Sequence, residues 1–302
     1  MFHRILVCVD GSPCALNAAG TAASIARSFR SEVLALNVFH IGNAGPANIV
    51  AWALTMDQDF IERSARGQRK AVEPTIKPIF ERLDVPYRFI QEAGHEAEVD
   101  AILRVAEREK ADLIVLGSRG LRGVTELLLG SVSSGVMHHA NCPVLIVRGD
   151  NAPCGSLKFD NIVLASDGSP CAQRAARVAV ELARTLVTSL TVLNVYEDLT
   201  SVSIPGDEDS LLGTTDMEHY AKQWLDYVAQ PVNEFAKEAG VTCSYVQDHG
   251  HPGQAIVHFA NKHEVDLIVL GSRGLGGYAR MVIGSVSNHV VHHANCPVLI
   301  VR

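Results

Sequence analysis

The chain has 302 residues, 47% of them hydrophobic and 20% charged, with a formal net charge of −7. That composition excludes a disordered or fibrous chain, and the length suits about two domains of ordinary size. Residues 1–150 carry 16 basic and 17 acidic side chains and residues 151–302 carry 10 and 16, so neither half offers the basic surface that grips nucleic acid.

In chain order the first half alternates short apolar runs with longer stretches of helical period. Strands are predicted near 3–9, 33–39, 86–91, 112–116 and 143–148, and helices near 13–30, 57–83, 97–110 and 130–141. The runs are almost continuously apolar, as in Ile5-Leu6-Val7-Cys8-Val9 and Leu113-Ile114-Val115-Leu116, which suits parallel strands covered on both faces. They fall far short of the ~20 residues of a membrane span. The first run ends at Asp10 with no long hydrophobic region or cleavage site, so no secretory signal is expected and the expected location is cytoplasmic. Seven cysteines without a Cys-x-x-Cys pair fit reduced thiols packed in a core.

The second half repeats the first. Residues 117–148 and 271–302 are identical at 22 of 32 positions with an offset of 154, and the opening Ile5 to Cys14 answers Ile162 to Cys171 at an offset of 157. A period of this size is a whole domain, so the chain is a tandem duplication. The domains are expected at 1–150 and 157–302, joined by a short Gly/Pro/Ser-containing linker. The fold class is α/β: two tandem, doubly wound, five-stranded parallel-sheet domains of Rossmann-like type. Ser12-Pro13 and Ser169-Pro170 suit helix starts, with Ser as cap and Pro in the first turn, and Gly250-His251-Pro252 suits another. Residues 40–56 and 197–215 are the least regular and least alike parts of the halves. They follow a strand C-terminus, where ligand specificity or a tolerant surface insertion are both expected.

After the fourth strand of each half come Gly117, Gly120, Gly130 and Ser131, and likewise Gly271, Gly274, Gly284 and Ser285. Glycines allow close backbone approach to an anion, the helix start supplies free amides, and Ser adds a hydroxyl. A turn alone would explain one such loop, but two copies in one strand-loop-helix setting point to phosphate. No Gly-Lys-Ser/Thr is present, and no Gly-x-Gly-x-x-Gly follows the first strand. Asp10 and Asp167 stand there instead, where a carboxylate could hold a ribose hydroxyl or simply make a turn.

These motifs, with Asp-Leu-Ile-Val-Leu-Gly-Ser-Arg-Gly at 112–120 and 266–274, Gly-Ser-Val-Ser and the closing Cys-Pro-Val-Leu-Ile-Val-Arg, make the whole chain resemble a tandem universal stress protein. The resemblance implies an adenine-nucleotide alpha-hydrolase-like fold of the ATP-binding branch, with ATP and Mg2+ as cofactors. It implies Gly117, Gly120, Gly130 and Ser131 at phosphate, Asp10 at ribose and Val38 at adenine. In the second half it implies Gly271, Gly274, Gly284, Ser285, Asp167 and Val195. It also implies edge-to-edge pairing of Pro143–Arg148 with Pro297–Arg302 as an intramolecular pseudo-dimer, with room for a homodimer; the charge balance and short apolar runs lead to the expectation of no nucleic-acid or membrane partner.

The halves differ within the loop: Arg122, Val124, Thr125 and Glu126 stand against Gly276, Tyr278, Ala279 and Arg280, so equal affinity is not expected. Arg119 and Arg273 could reach phosphate, though solvent exposure is the simpler expectation. Cys8-Val9 against Ala165-Ser166 could tune the sugar pocket. His289, His293 and Cys296 have a zinc-like spacing, but Gly135 replaces His289 in the first half and no fourth ligand is identifiable, so no metal site is expected. No Gly-x-Ser-x-Gly, His-Glu-x-x-His or paired-carboxylate motif is present. The expected function is a nucleotide-binding stress regulator or switch with at most slow ATP hydrolysis; a slow ATPase and a nucleotide-free scaffold are the alternatives.

Overall fold

The computed structural model describes residues 1–39, 58–93, 97–120, 129–148, 159–196, 214–274 and 283–302, with the main chain alone at 58–61 and 214–222. The divergent loop residues Arg122, Val124, Thr125, Glu126, Gly276, Tyr278, Ala279 and Arg280 lie outside these ranges, as do 40–56 and 197–213. The chain divides into two compact units, Met1–Leu157 and Lys158–Arg302.

Unit 1 runs β1 (Arg4–Cys8), α1 (Pro13–Phe29), β2 (Glu32–Phe39), α2 (Gln58–Leu83), β3 (Tyr87–Ala93), α3 (Glu98–Arg108), β4 (Leu113–Gly117), α4 (Ser131–His139) and β5 (Val144–Val147). Unit 2 repeats it as β6 (Asn161–Ala165), α5 (Pro170–Leu186), β7 (Ser189–Tyr196), α6 (Thr214–Ala239), β8 (Cys243–His249), α7 (Pro252–Lys262), β9 (Leu267–Gly271), α8 (Ser285–His293) and β10 (Val298–Val301). Within unit 1 the strand order is β3-β2-β1-β4-β5, and within unit 2 it is β8-β7-β6-β9-β10. The registered pairs inside each unit are parallel, as the continuous apolar runs predicted.

Consecutive residues of one strand are buried together, such as Val33, Leu34, Ala35 and Leu36, so both faces of that sheet are covered. The helices pack in pairs, α1 with α2 and α3 with α4, then α5 with α6 and α7 with α8. Each fully buried Leu or Ile contributes roughly 1.5–3 kcal/mol, which makes this two-sided sheet the main source of stability.

Local chemistry sets the helix starts. Ser12 and Ser169 are N-caps whose hydroxyls accept from the Ala15 and Ala172 amides, with Pro in the first turn of both helices. At the opposite edge, Asp112 accepts from the His3 and Arg4 amides and Asp266 from those of Asp160 and Asn161. These carboxylates lock the entrance of β1 to that of β4, and of β6 to that of β9.

The strand order reverses between β1 and β4, and between β6 and β9. Crossovers leave such neighbours in opposite directions, which opens a crevice at their C-terminal ends. The Asp-Gly-Ser turns follow β1 and β6 there, and Gly117 and Gly271 end β4 and β9 there.

Candidate functional site

In unit 2 the crevice is a cavity of about 380 Å3. It is lined by all six residues singled out from the sequence of that half: Asp167, Val195, Gly271, Gly274, Gly284 and Ser285. Asp167 follows β6, Val195 is the penultimate residue of β7, Gly271 ends β9, and Ser285 opens α8. Four chain segments far apart in sequence therefore meet at one edge because the sheet order brings them together.

The carboxylate is held by its own turn. Asp167 Oδ1 accepts from the Ser169 amide at 3.0 Å, and Asp10 Oδ1 from the Ser12 amide at 2.9 Å. The intervening Gly168 and Gly11 have φ of +78° and +85°, the left-handed region that favours glycine. Oδ2 of each aspartate faces the glycine loop. A Cβ placed on Gly274 would stand 2.5 Å from Asp167 Oδ2, and one on Gly120 would stand 2.7 Å from Asp10 Oδ2.

The glycines of the loop do different work. A Cβ on Gly271 would lie 2.7 Å from the carbonyl carbon of Cys171, and one on Gly117 would lie 2.8 Å from that of Cys14. These two residues allow the first turn of α5 or α1 to press onto the strand end, a packing duty that the phosphate reading did not anticipate. Gly130 and Gly284 are helix N-caps with φ near −65° and no side-chain cap hydrogen bond. Their amides donate to Ser118 O and Ser272 O at 2.8 Å, which pinches the loop at its base. Below them Ser133 and Ser287 donate to Gly117 O and Gly271 O at 2.7 Å. The helix start is thus tied to the strand end by side chains inside the first turn, and its outermost amides carry no side-chain cap. An N-terminus of this kind favours an anion.

Arg119 and Arg273 are half-buried, and Arg273 lines the cavity, where the simpler expectation placed them in solvent. The sequence reading also missed Pro252 and Ile256, which form a wall from α7. Ile256 belongs to an amphipathic helical pattern that reads as ordinary core, so nothing marked it as ligand-facing.

The two units differ around this frame. Unit 1 has Cys8 where unit 2 has Ala165, and burial pushes the Cys8 thiol far up, helped by the Asp10 and Glu98 carboxylates. A thiol in that state is a packing group at neutral pH and no nucleophile. The six cysteines among the described residues are all free thiols. Among the described residues no group of three or more His, Cys, Asp or Glu side chains stands in ligating geometry, and no helix is long and apolar enough to cross a membrane.

A doubly wound parallel sheet, repeated once, with a glycine loop at the strand-order reversal of each copy, defines a tandem α/β protein of the adenine-nucleotide alpha-hydrolase-like class. Sequence comparison takes the assignment one step further. The Universal stress protein family matches residues 1–148 and again 158–302, and the chain belongs to that family. It is 27% identical over 305 residues to the universal stress protein Rv2005c of Mycobacterium tuberculosis, covering 99% of this chain and 97% of that one. It is also 27% identical to the universal stress protein Mb2019 of Mycobacterium bovis over 321 residues, covering 99% and 94%. Among solved structures, a universal stress protein from Archaeoglobus fulgidus shares the fold with a TM-score of 0.69 at 22% identity, covering 99% of this chain and 98% of that one.

Proposed function

We propose that this universal stress protein binds adenine nucleotide, as ATP with a divalent ion, and works as a nucleotide-dependent stress regulator. The observation that carries the reading is the unit-2 cavity, which gathers Asp167, Val195, Gly271, Gly274, Gly284 and Ser285 into one space of about 380 Å3. That lies within the range of small-molecule pockets, and the wall is apolar with a few convergent polar groups. Asp167 would take ribose hydroxyls through Oδ2. The uncapped start of α8 and the Ser285 hydroxyl would take phosphate. The Val195 main chain, with Leu193 and Ile256 beside it in the cavity wall, would read and cover the adenine. The bound nucleotide would supply a charged group whose loss or exchange is felt by Gly274 and the start of α8. Asp10, Val38, Gly117, Gly120, Gly130 and Ser131 hold the corresponding positions in unit 1.

Among the described residues, nothing in this arrangement activates water strongly. Asp167 is oriented by the Ser169 amide and faces the sugar side, so hydrolysis is expected to be slow. Pairing of segments 143–148 and 297–302 as a pseudo-dimer is part of the same proposal; small-angle scattering showing independently moving domains would contradict it.

The test is the nucleotide released on denaturing protein purified without added ligand, followed by titration with magnesium-ATP. Binding of two equivalents per chain is expected, with Asp10→Ala and Asp167→Ala each removing one. A folded protein that neither carries nor takes up nucleotide would overturn the reading.

A further inference from the structure

His289 lies one turn beyond Ser285 on α8, and its ring rests on Gly253 in the first turn of α7. A Cβ at Gly253 would stand 2.9 Å from both Cδ2 and Cγ of that ring. His251, the N-cap of α7, has its ring centroid 5.9 Å from that of His289, and His293 stacks on His289 at 4.1 Å. The His293 ring is steered by a 2.8 Å hydrogen bond between its Nδ1 and the His289 carbonyl. Pro252 and Ser285, the first residues of α7 and α8, both line the cavity. The imidazole therefore bridges two helix starts that form pocket wall.

Unit 1 makes the same helix contact with the bulk on the other side. Ala97, Val99 and Gly135 stand where unit 2 has His251, Gly253 and His289. There Val99 Cγ2 lies 2.5 Å from where a Gly135 Cβ would be. The first unit closes α3 on α4 with a hydrocarbon, and the second closes α7 on α8 with a titratable ring.

We propose that His289 is a positioning residue for the unit-2 pocket, a proton-sensitive clasp that holds the start of α7 against α8 and loosens in mild acid. Among the described residues, the groups acting on His289 are histidines: His293 and His292 from its own helix and His251 from α7. Further along, α7 carries His258 and Lys262, and β10, on which α8 also packs, has no titratable residue. Asp248 is 3.7 Å from His249 and does not act on the stack. Burial and these neighbours hold the His289 imidazole below its usual value of 6.5. A ring that takes its proton more readily when released favours the open form as pH falls below that usual value, and contributes its full stabilisation above it. A proton at the first turn of α7 also opposes that helix's dipole.

The test compares amide hydrogen exchange of residues 255–258 in the full chain at pH 7.5 and 5.5, corrected for intrinsic rates. Residues 101–104 of unit 1 serve as the internal control. Wild type is expected to lose protection a few-fold at 255–258 and not at 101–104. The double variant Gly253→Val/His289→Gly rebuilds the unit-1 pairing and is expected to stay protected at both pH values. If that variant fails to fold, His289→Gln, which keeps bulk without charge, serves the same comparison. Equal pH response in wild type and variant, or no response in wild type, overturns the clasp. Magnesium-ATP titration at the two pH values gives a second readout that rests on the proposed function: unit-2 affinity should fall a few-fold in acid in wild type and hold in the variant. Absence of nucleotide binding at both pH values would count against that function and leave the exchange result to decide the clasp.

Discussion

At the residue scale the site depends on the space between an aspartate and a glycine. A Cβ on Gly274 would stand 2.5 Å from Asp167 Oδ2, so any side chain at 274 must displace the carboxylate. Gly274→Val is therefore expected to weaken nucleotide binding at unit 2 by at least tenfold, the loss of a charge-assisted hydrogen bond of roughly 1.5–3 kcal/mol. Thermal stability should change little, because residue 274 is exposed. Calorimetric titration beside a melting curve separates the two. Asp167 and Gly274 stood out from sequence, since both recur in the two halves. Their mutual contact did not, because 107 residues separate them and only the β6–β9 pairing brings them together. The packing of Gly271 on Cys171 was hidden for the same reason, since Cys171 belongs to another element.

At the element scale the sequence spoke clearly wherever a rule is local. Continuous apolar runs marked the parallel strands, and Ser-Pro pairs marked the starts of α1 and α5. Helix ends were less legible. α5 stops at Val187, a β-branched residue at φ 55° that is 90% exposed, where Gly or Asn would be the usual choice. The left-handed conformation costs a non-glycine residue roughly 1–2 kcal/mol. Val187→Asn is expected to raise unfolding stability by up to about 1 kcal/mol, read as a shift in the denaturant midpoint with an unchanged slope. The α7–α8 contact was invisible for a different reason. A swap of large and small residues between two helices leaves each helix looking ordinary, and only the packing of His289 on Gly253 reveals the pair.

At the scale of the whole molecule, the duplicated units share a frame and differ in charge where a ligand would sit. Unit 1 places Glu98 where unit 2 has the pocket-lining Pro252, and the charges of Asp10 and Glu98 both push the Cys8 thiol at the end of β1 upward. Two carboxylates near a polyphosphate oppose it, by about 1 kcal/mol in a partly solvated crevice. Unit 1 is thus expected to bind magnesium-ATP several-fold more weakly than unit 2. Glu98→Gln should narrow the gap, which a two-site titration of wild type and variant would measure. Equal site affinities in the wild type would contradict this account. The family assignment, the repeat and the expectation of unequal sites were evident from the sequence, whereas a part for Glu98 needed its charge to be seen acting on Cys8.

The sheet order also governs the timing of assembly during synthesis. β1 pairs with β4 through Ile5 and Leu113, so the crevice of unit 1 can close only after more than a hundred residues have emerged. Such long-range closure is slow compared with helix formation. Because β6 begins at Asn161, the first crevice can be complete before the second has any strand to build on. A nucleotide captured by the nascent first unit would then act as a folding ligand, stabilising it by mass action while the ribosome is still making its twin.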